Sequence, residues 1–280
     1  MIEVDVVTDD PATYLPPDDL ADLRRAKTFL RNPGVAVRFA NLIGTPIELG
    51  LQHLPATANR IVRYATRTAL RQALRVALVS LGSSQTAPRP RNRFHKILAG
   101  ASGAVGGAFG LAALPVELPI STTLILRSIA QIAAGEGHDL DSVETRLSCL
   151  EVFAFGGDSP RDDAGETSYW MTRAALSKVV ADAVGILAGR AAAMESSPAA
   201  LRFVTAVAAR FGVVVSQQVA AKAVPILGAA AGAAINVVFM DHFQKMAQGH
   251  FIVRRLEKRH GTETIQRAYE SLATPTSPSP

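Results

Sequence analysis

Two histidines, His242 and His250, are spaced in a way that could serve chemistry. Histidine acts as a metal ligand and as a general acid or base near neutral pH. Residues eight apart return to nearly the same face of a helix, but the rise of 1.5 Å per residue separates them by ~12 Å. That distance is too long for both rings to bind one metal ion. The spacing therefore predicts that these histidines pack against another helix and hydrogen-bond polar groups there.

A second set of polar side chains lies inside apolar stretches. Glu117 stands between two prolines in the segment Leu114–Pro119, Arg127 follows ten residues later, and Asn236 interrupts an uncharged run. Because an unpaired charge in apolar surroundings is costly, we expect each charged group to face a partner or water. A buried Glu117–Arg127 ion pair is the favoured interpretation, and a ligand or proton site is the alternative.

The common catalytic motifs are absent from the sequence. The segment Gly100–Ala104 lacks the last glycine of a G-x-S-x-G elbow, and no strand precedes it. Walker A, G-x-G-x-x-G and H-E-x-x-H runs are also missing. The single cysteine, Cys149, lies in a predicted buried helix and excludes a disulfide framework or a Cys-based zinc cluster within the chain. We therefore expect no cofactor and no metal.

Basic residues are concentrated in one block of the chain. Residues 49–116 contain eight arginines, one lysine and no acidic residue, a net charge of +9, whereas the 280-residue chain carries +5. A helix predicted from Pro55 to Leu81 carries arginines at three- and four-residue spacing, with small apolar residues broadly opposite. A turn-rich basic linker follows. The predicted lipid-binding residues are Arg60, Arg63, Arg67, Arg71, Arg75, Arg91, Arg93 and Lys96.

This basic helix favours an anionic membrane surface as its partner, because an uncharged run follows it along the chain. Only Tyr64 and Phe94 could stack on bases near the arginines, so nucleic acid is not the favoured partner. A solvated basic face without any partner is the remaining interpretation.

Two uncharged runs, Ile97–Val116 and Ala223–Met240, are rich in alanine and glycine. Their lengths approach the ~20 residues that cross a bilayer, but their small side chains and terminal prolines argue against simple spans. Transmembrane spans, reversible insertion and a packed soluble core all stay open. Glycines four apart share a helix face and let two backbones approach closely. The predicted helix-packing residues are Gly103, Gly106, Gly107, Gly110, Gly228 and Gly232.

The elements that must position these residues are helical almost throughout. Apolar residues make up 48% of the chain, and no region shows the sustained alternation of a sheet protein. The predicted fold is an all-α multi-helix bundle with tightly packed, Gly/Ala-rich central helices that could insert into a membrane. Further expectations are a short strand at Ile2–Val7, an N-cap at Asp18 or Asp19, and no secretory signal. The predicted divisions are an irregular arm (1–17), an N-terminal helical segment with the basic helix (18–81), a basic linker (82–96), a helical domain (97–272) and a disordered tail (273–280).

Two long segments carry a resemblance to a known family. Residues 103–156, GAVGGAFGLAALPVELPISTTLILRSIAQIAAGEGHDLDSVETRLSCLEVFAFG, contain a Gly-rich segment, a Pro–acid–Pro turn, an Arg-bearing helix and a Gly-x-Asp turn. With residues 222–261, KAVPILGAAAGAAINVVFMDHFQKMAQGHFIVRRLEKRHG, they resemble the EcsC family. His138 stands where the family's Gly-x-Asp turn has an aromatic residue. The family takes its name from a bacterial operon that also encodes an ABC transporter, and the resemblance implies no particular reaction.

These observations predict a non-enzymatic, membrane-associated helical protein that binds anionic lipid. We expect it to be cytoplasmic and peripheral to the inner membrane, with integral insertion as an alternative. A membrane transporter is the protein partner that the resemblance implies. Two other classes stay open: a hydrolase that uses Glu117 or the His242/His250 region, and a soluble helical interaction or scaffold protein.

Overall fold

The fold is described from a computed structural model. The residues that it describes are 15–31, 35–44, 51–52, 57–81, 113–155, 167–187, 197–222 and 228–272. Within them the chain forms nine α-helices and no β-strand, which confirms the predicted all-α fold. The helices are α1 (Pro17–Leu30), α2 (Val35–Ile43), α3 (Ala58–Ser80), α4 (Leu114–Gly135), α5 (Val143–Glu151), α6 (Thr167–Leu187), α7 (Pro198–Lys222), α8 (Gly228–His260) and α9 (Thr262–Ser271).

Proline and glycine set several of the helix boundaries. Pro198 is the first residue of α7, where a missing N–H costs nothing and the fixed φ suits a helix. Gly261 separates α8 from α9 with φ at 83°, a left-handed conformation that glycine adopts without strain. The sequence pattern predicts helices over Pro198–Lys222 and Thr262–Leu272, and the observed bounds of α7 and α9 agree with these within one residue.

Two predicted features at helix starts are wrong. The N-cap of α1 is Pro16, so Asp18 and Asp19 lie inside the first turn, where their negative charges favour the positive end of the helix dipole. The Pro–acid–Pro segment is not a separate turn but the beginning of α4. Pro115 occupies the first turn, which needs no N–H donor, and Pro119 lies inside the helix.

The longest helix, α8, is the centre of the described fold. It contacts α1, α2, α4, α7 and α9, while α3 packs against α4 and α7. Four buried phenylalanines join α8 to α7 and to the 3₁₀ turn that follows α5: Phe153, Phe211, Phe239 and Phe243, with contacting ring centroids 5.0–6.1 Å apart. Their tilted and edge-to-face arrangement is favourable for aromatic rings. One hydrophobic core therefore joins the helices before the basic linker to those after it.

Gly249 allows α1 to approach α8 closely. A Cβ built at this position would lie 2.6 Å from Cγ of Leu30 and 3.0 Å from the carbonyl oxygen of Ala26. Only glycine fits this contact without movement of the neighbouring helix.

Lys27 connects α1 to the end of α9, the last of the described helices. Its side chain is buried, and its Nζ donates to the carbonyl oxygens of Tyr269 at 2.8 Å and Leu272 at 2.7 Å. These carbonyls lie at the C-terminus of α9, where the helix leaves acceptors without intrahelical partners and the dipole favours a positive charge.

Several predicted positions lie outside the described residues. These are the strand at Ile2–Val7, the tail 273–280, most of the run Ile97–Val116, and the residues Arg91, Arg93, Lys96, Gly103, Gly106, Gly107 and Gly110. Of the predicted packing glycines, Gly228 begins α8 and Gly232 is buried within it. The proposed divisions of the chain stay predictions.

Candidate functional site

The five predicted lipid-binding arginines of α3 lie on the surface. Arg60, Arg63, Arg67, Arg71 and Arg75 are all exposed. The opposite face of α3 is apolar and buried, and it includes Val62, Ala65, Ala69 and Ala73. The packing of that face on α4 and α7 therefore fixes the direction in which the arginines point. We call the exposed side of α3 the arginine face.

Apolar side chains are exposed on the same helix. Tyr64 is 64% exposed and Val79 is 74% exposed. Tyr64 lies one residue from Arg63 and seven from Arg71, which places it within the arginine face. A tyrosine beside cationic side chains suits a boundary between headgroups and hydrocarbon, where an aromatic body with a polar tip is favourable.

A groove lies between α3 and α7. Its volume is about 320 Å³, and its walls include Arg63 and Arg67 from the arginine face. Thr66 also lines it, is only 1% exposed, and has an Oγ1 with no hydrogen-bond partner in the described part of the chain. Gly212 lies on the α7 side, where a Cβ would meet no atom within 4 Å. The remaining lining residues are Asn59, Val62, Thr205, Ala208, Ala209, Val213 and Ser216.

Two of the described helices are long and apolar enough to cross a membrane. They are α4 and α7, and a larger share of α4 than of α7 is buried in the fold. Core helices of soluble proteins meet the same criteria, so length and composition indicate only a weak potential for membrane association. The uncharged run Ala223–Met240 includes the start of α8, and α8 is not one of the two membrane-length apolar helices found among the described residues.

Glu117 pairs with Lys222, not with Arg127. Its Oε1 accepts from Lys222 Nζ at 2.5 Å and from Asn236 Nδ2 at 2.9 Å, and Asn236 Oδ1 accepts from Gln218 Nε2 at 2.8 Å. These four groups connect α4, α7 and α8. Burial lowers the pKa of the Lys222 ammonium, and the neighbouring Glu117 carboxylate opposes that shift.

Arg127 is exposed, so its prediction as a polar group in the apolar core is wrong. It lies ~15 Å from Glu117 along the axis of α4, because ten residues separate the two positions. The sequence did contain a signal for the true partner. Lys222 directly precedes the second uncharged run, and Glu117 directly follows the first. Each of the two charges therefore stands at one end of an uncharged run.

His250 belongs to a buried polar cluster that joins α6 and α8. Arg173 donates to both carboxylate oxygens of Glu257, at 2.8 and 3.0 Å, and to the Tyr169 hydroxyl at 3.4 Å. Tyr169 Oη lies 3.0 Å from His250 Nδ1, and the two share a buried hydrogen bond. Burial is the main cause that lowers the pKa of His250 well below its ordinary value, and the nearby Arg173 acts in the same direction.

Glu151 is a buried carboxyl group near this cluster. Burial raises its pKa to about 7, while Arg173 and Arg254 partly oppose that shift. A carboxyl group of this kind holds a proton near neutral pH and can release it within the physiological range. Sequence reasoning missed Glu151, Tyr169, Arg173 and Glu257, because single charged residues in a helical pattern are equally typical of solvated faces.

The other polar residues considered from the sequence are buried in the core or form a local turn. His242 is fully buried, and burial lowers its pKa to about 4. The backbone oxygen of Phe251 accepts from His138 Nε2 at 3.0 Å, and the backbone N–H of Asp141 donates to Asp139 Oδ1 at 2.9 Å, an Asx turn. Cys149 is fully buried, and burial raises the pKa of its thiol. Among the described residues, no three His, Cys, Asp or Glu side chains converge as metal ligands do.

The structure separates Glu117 from His250, two of the residues named for the hydrolase hypothesis. Glu117 contacts Asn236, which lies fourteen residues before His250 on α8, a separation of ~21 Å along that helix. The groove between α3 and α7 is lined by neither Glu117 nor the two histidines.

Comparison with known proteins gives one finding. The model of a family described as the EcsC protein family matches residues 42–256, about three quarters of the chain. The match includes α3, α4, α6 and α7 in full and almost all of α8. No match was found among curated proteins or among solved structures.

Proposed function

The chain belongs to the EcsC protein family, and on that premise we propose that it binds the anionic surface of a membrane through the arginine face of α3. The observation that carries the proposal is the exposure of all five arginines on a helix whose other face is fixed in the core. No acidic residue occurs anywhere in residues 49–116 to neutralise these charges locally. Basic side chains near a lipid surface contribute about 1 kcal/mol each.

The apolar residues beside the arginines support a membrane more than another anion. Tyr64 and Val79 are both largely exposed on α3, and apolar side chains on a cationic helix gain free energy when they enter the interface. The moderately apolar helices α4 and α7 fit the same proposal.

The finer parts of the proposal concern place and partner. We place the protein at the cytoplasmic side of the inner membrane as a non-enzymatic accessory protein, with a membrane transporter as its protein partner. The single cysteine fits a reducing compartment, and the transporter rests on the family's association with an ABC transporter operon.

Vesicle flotation tests the central claim. Wild type is mixed with phosphatidylcholine vesicles that contain either no anionic lipid or added phosphatidylglycerol. Binding should require phosphatidylglycerol and should weaken in high salt, because salt screens surface charge. The triple variant Arg60→Gln/Arg71→Gln/Arg75→Gln should bind on the order of 100-fold less tightly, since three contributions of about 1 kcal/mol are lost.

A matched control removes the same amount of charge elsewhere. Arg24, Lys178 and Arg267 are exposed on α1, α6 and α9, and their triple replacement by glutamine leaves the arginine face intact. This control should bind as wild type does. Equal losses in the two triple variants would show that net charge matters and the arginine face does not, and that result would refute the proposal.

A further inference from the structure

The groove between α3 and α7 extends the proposed function to one bound molecule. We propose that it holds a single anionic phospholipid, with the phosphate at Arg63 and Arg67 and the first part of an acyl chain against the α7 wall. This inference rests on the proposed membrane function, because the lipid enters from the surface that the arginine face contacts. It adds a defined site to what is otherwise a diffuse electrostatic contact.

Arg63 and Arg67 are placed to share one phosphate. They lie four residues apart, so their side chains leave the same face of α3 about 6 Å apart along its axis. Guanidinium groups bind phosphate oxygens through paired, charge-assisted hydrogen bonds. The groove lining contains these two arginines and no carboxylate that would compete with the phosphate.

Thr66 provides an observation independent of charge. A threonine or serine in a helix commonly donates to the carbonyl one turn earlier, as Ser216 does to Gly212 at 2.8 Å on the facing wall. Thr66 lines the groove, and its buried Oγ1 makes no hydrogen bond within the described residues. An unsatisfied buried hydroxyl is unfavourable, and a phosphate or glycerol oxygen in the groove would accept its hydrogen.

The walls of the groove indicate a lipid instead of a free phosphate. Val62, Ala208, Ala209 and Val213 line it with methyl groups, and Gly212 leaves open space where any other residue would place a side chain. The volume of about 320 Å³ is at the small end of ligand sites, which suits a headgroup and the first methylenes of a chain. The rest of the lipid would stay in the bilayer.

Gly212→Leu fills the groove without changing charge. A Cβ at position 212 meets no atom within 4 Å, and leucine favours a helix more than glycine does, so the variant should fold. Gly185→Leu is the matched control, because Gly185 is also helical and open but lies on α6, away from the groove. Circular dichroism establishes that both variants keep the helical content of wild type.

The probe is phosphatidylglycerol with six-carbon acyl chains, used as monomers and titrated by calorimetry. Wild type and Gly185→Leu should bind it, and Gly212→Leu should bind at least 10-fold less tightly. Arg63→Gln/Arg67→Gln should lose binding to a similar extent. Equal binding by Gly212→Leu and wild type, or no binding by wild type, would overturn the inference. Equal affinity for glycerol phosphate would also overturn it, by showing a phosphate site that does not use the acyl chain.

The two proposals can fail separately. The Arg60/Arg71/Arg75 triple variant changes the arginine face outside the groove, whereas Gly212→Leu changes the groove alone. If wild type floats with anionic vesicles but ignores the short-chain lipid, the groove proposal fails and the surface proposal stands. If it binds the short-chain lipid but not anionic vesicles, the surface proposal fails and the groove proposal stands.

Discussion

Replacing the buried Glu151 by glutamine should change how the stability of the protein depends on pH. In the folded state burial raises the pKa of this carboxyl group from 4.5 to about 7. A group whose pKa is higher in the folded state stabilises the fold below its unfolded pKa, and that contribution is lost as pH rises through its folded pKa. Glu151 therefore favours the folded state at pH 5 and no longer does so at pH 8.

The size of the effect follows from the shift. Each pKa unit corresponds to 1.36 kcal/mol, so a rise from 4.5 to about 7 gives at most about 3 kcal/mol, of which about 2–3 kcal/mol falls between pH 5 and pH 8. Glutamine cannot titrate. Relative to wild type, the free energy of unfolding of Glu151→Gln should thus be about 2–3 kcal/mol larger, meaning a more stable variant, at pH 8 than at pH 5.

Urea unfolding at the two pH values measures this difference, with the fluorescence of the single tryptophan as the probe. Trp170 reports on the right region, since its ring centroid lies 5.0 Å from Cζ of Arg173. The buried histidines also make stability depend on pH in this range, because they gain protons on unfolding, but they are common to both proteins and cancel in the comparison. Glu263→Gln is the control, because Glu263 is exposed on α9 and water solvates its charge. If Glu151→Gln differs from wild type by the same amount at both pH values, the carboxyl group is not protonated in the fold and the reasoning is refuted.

Three further predictions concern packing, the buried ion pair and acid. Gly249→Ala should lower the unfolding free energy by ~1–2 kcal/mol, since the cost of overpacking outweighs the better helix propensity of alanine. Gly185→Ala, at an open helical site, should raise the unfolding free energy by ~1 kcal/mol. Urea unfolding measures both, and equal changes in the two variants would contradict the close contact at Gly249. Lys222→Met should cost ~3–5 kcal/mol because it leaves the Glu117 carboxylate buried without its cation, and adding Glu117→Gln should recover part of the loss in a double-mutant cycle. Burial lowers the pKa of His242 to about 4, so the contribution of neutral His242 to stability is present above pH 6.5 and is lost as pH falls. His242→Gln should therefore reduce the loss of stability between pH 6.5 and 4 by ~2–3 kcal/mol. An acid titration followed by circular dichroism that is the same for variant and wild type would contradict the lowered pKa of His242.

Local signals in the sequence predicted most of the helices. Proline at position 198 and glycine at position 261 act on the backbone of their own residue, so the bounds of α7 and α9 follow from chemistry that a single sequence displays. The amphipathic pattern of α3 likewise depends only on residues within one helix. These features need no knowledge of how the helices pack.

Contacts between distant helices were harder to predict. The sequence favours Arg127 as the partner of Glu117 because both charges lie in apolar sequence, but the partner in the structure, Lys222, is 105 residues away. A close glycine contact lies at Gly249, where no G-xxx-G spacing marks it, because one glycine suffices when its neighbour brings a leucine side chain and a backbone carbonyl. The groove similarly exists only once α3 and α7 lie side by side.

The buried Lys27 makes folding depend on nearly the whole chain. Its acceptors, the carbonyls of Tyr269 and Leu272, lie 242 and 245 residues away, so α1 is synthesised long before the groups that solvate its ammonium. Contacts of such sequence separation carry a large loop-closure cost and slow the final step of folding. A growing chain that lacks α9 would bury an ammonium without these acceptors, and α1 should therefore dock on α8 only after synthesis has passed Leu272.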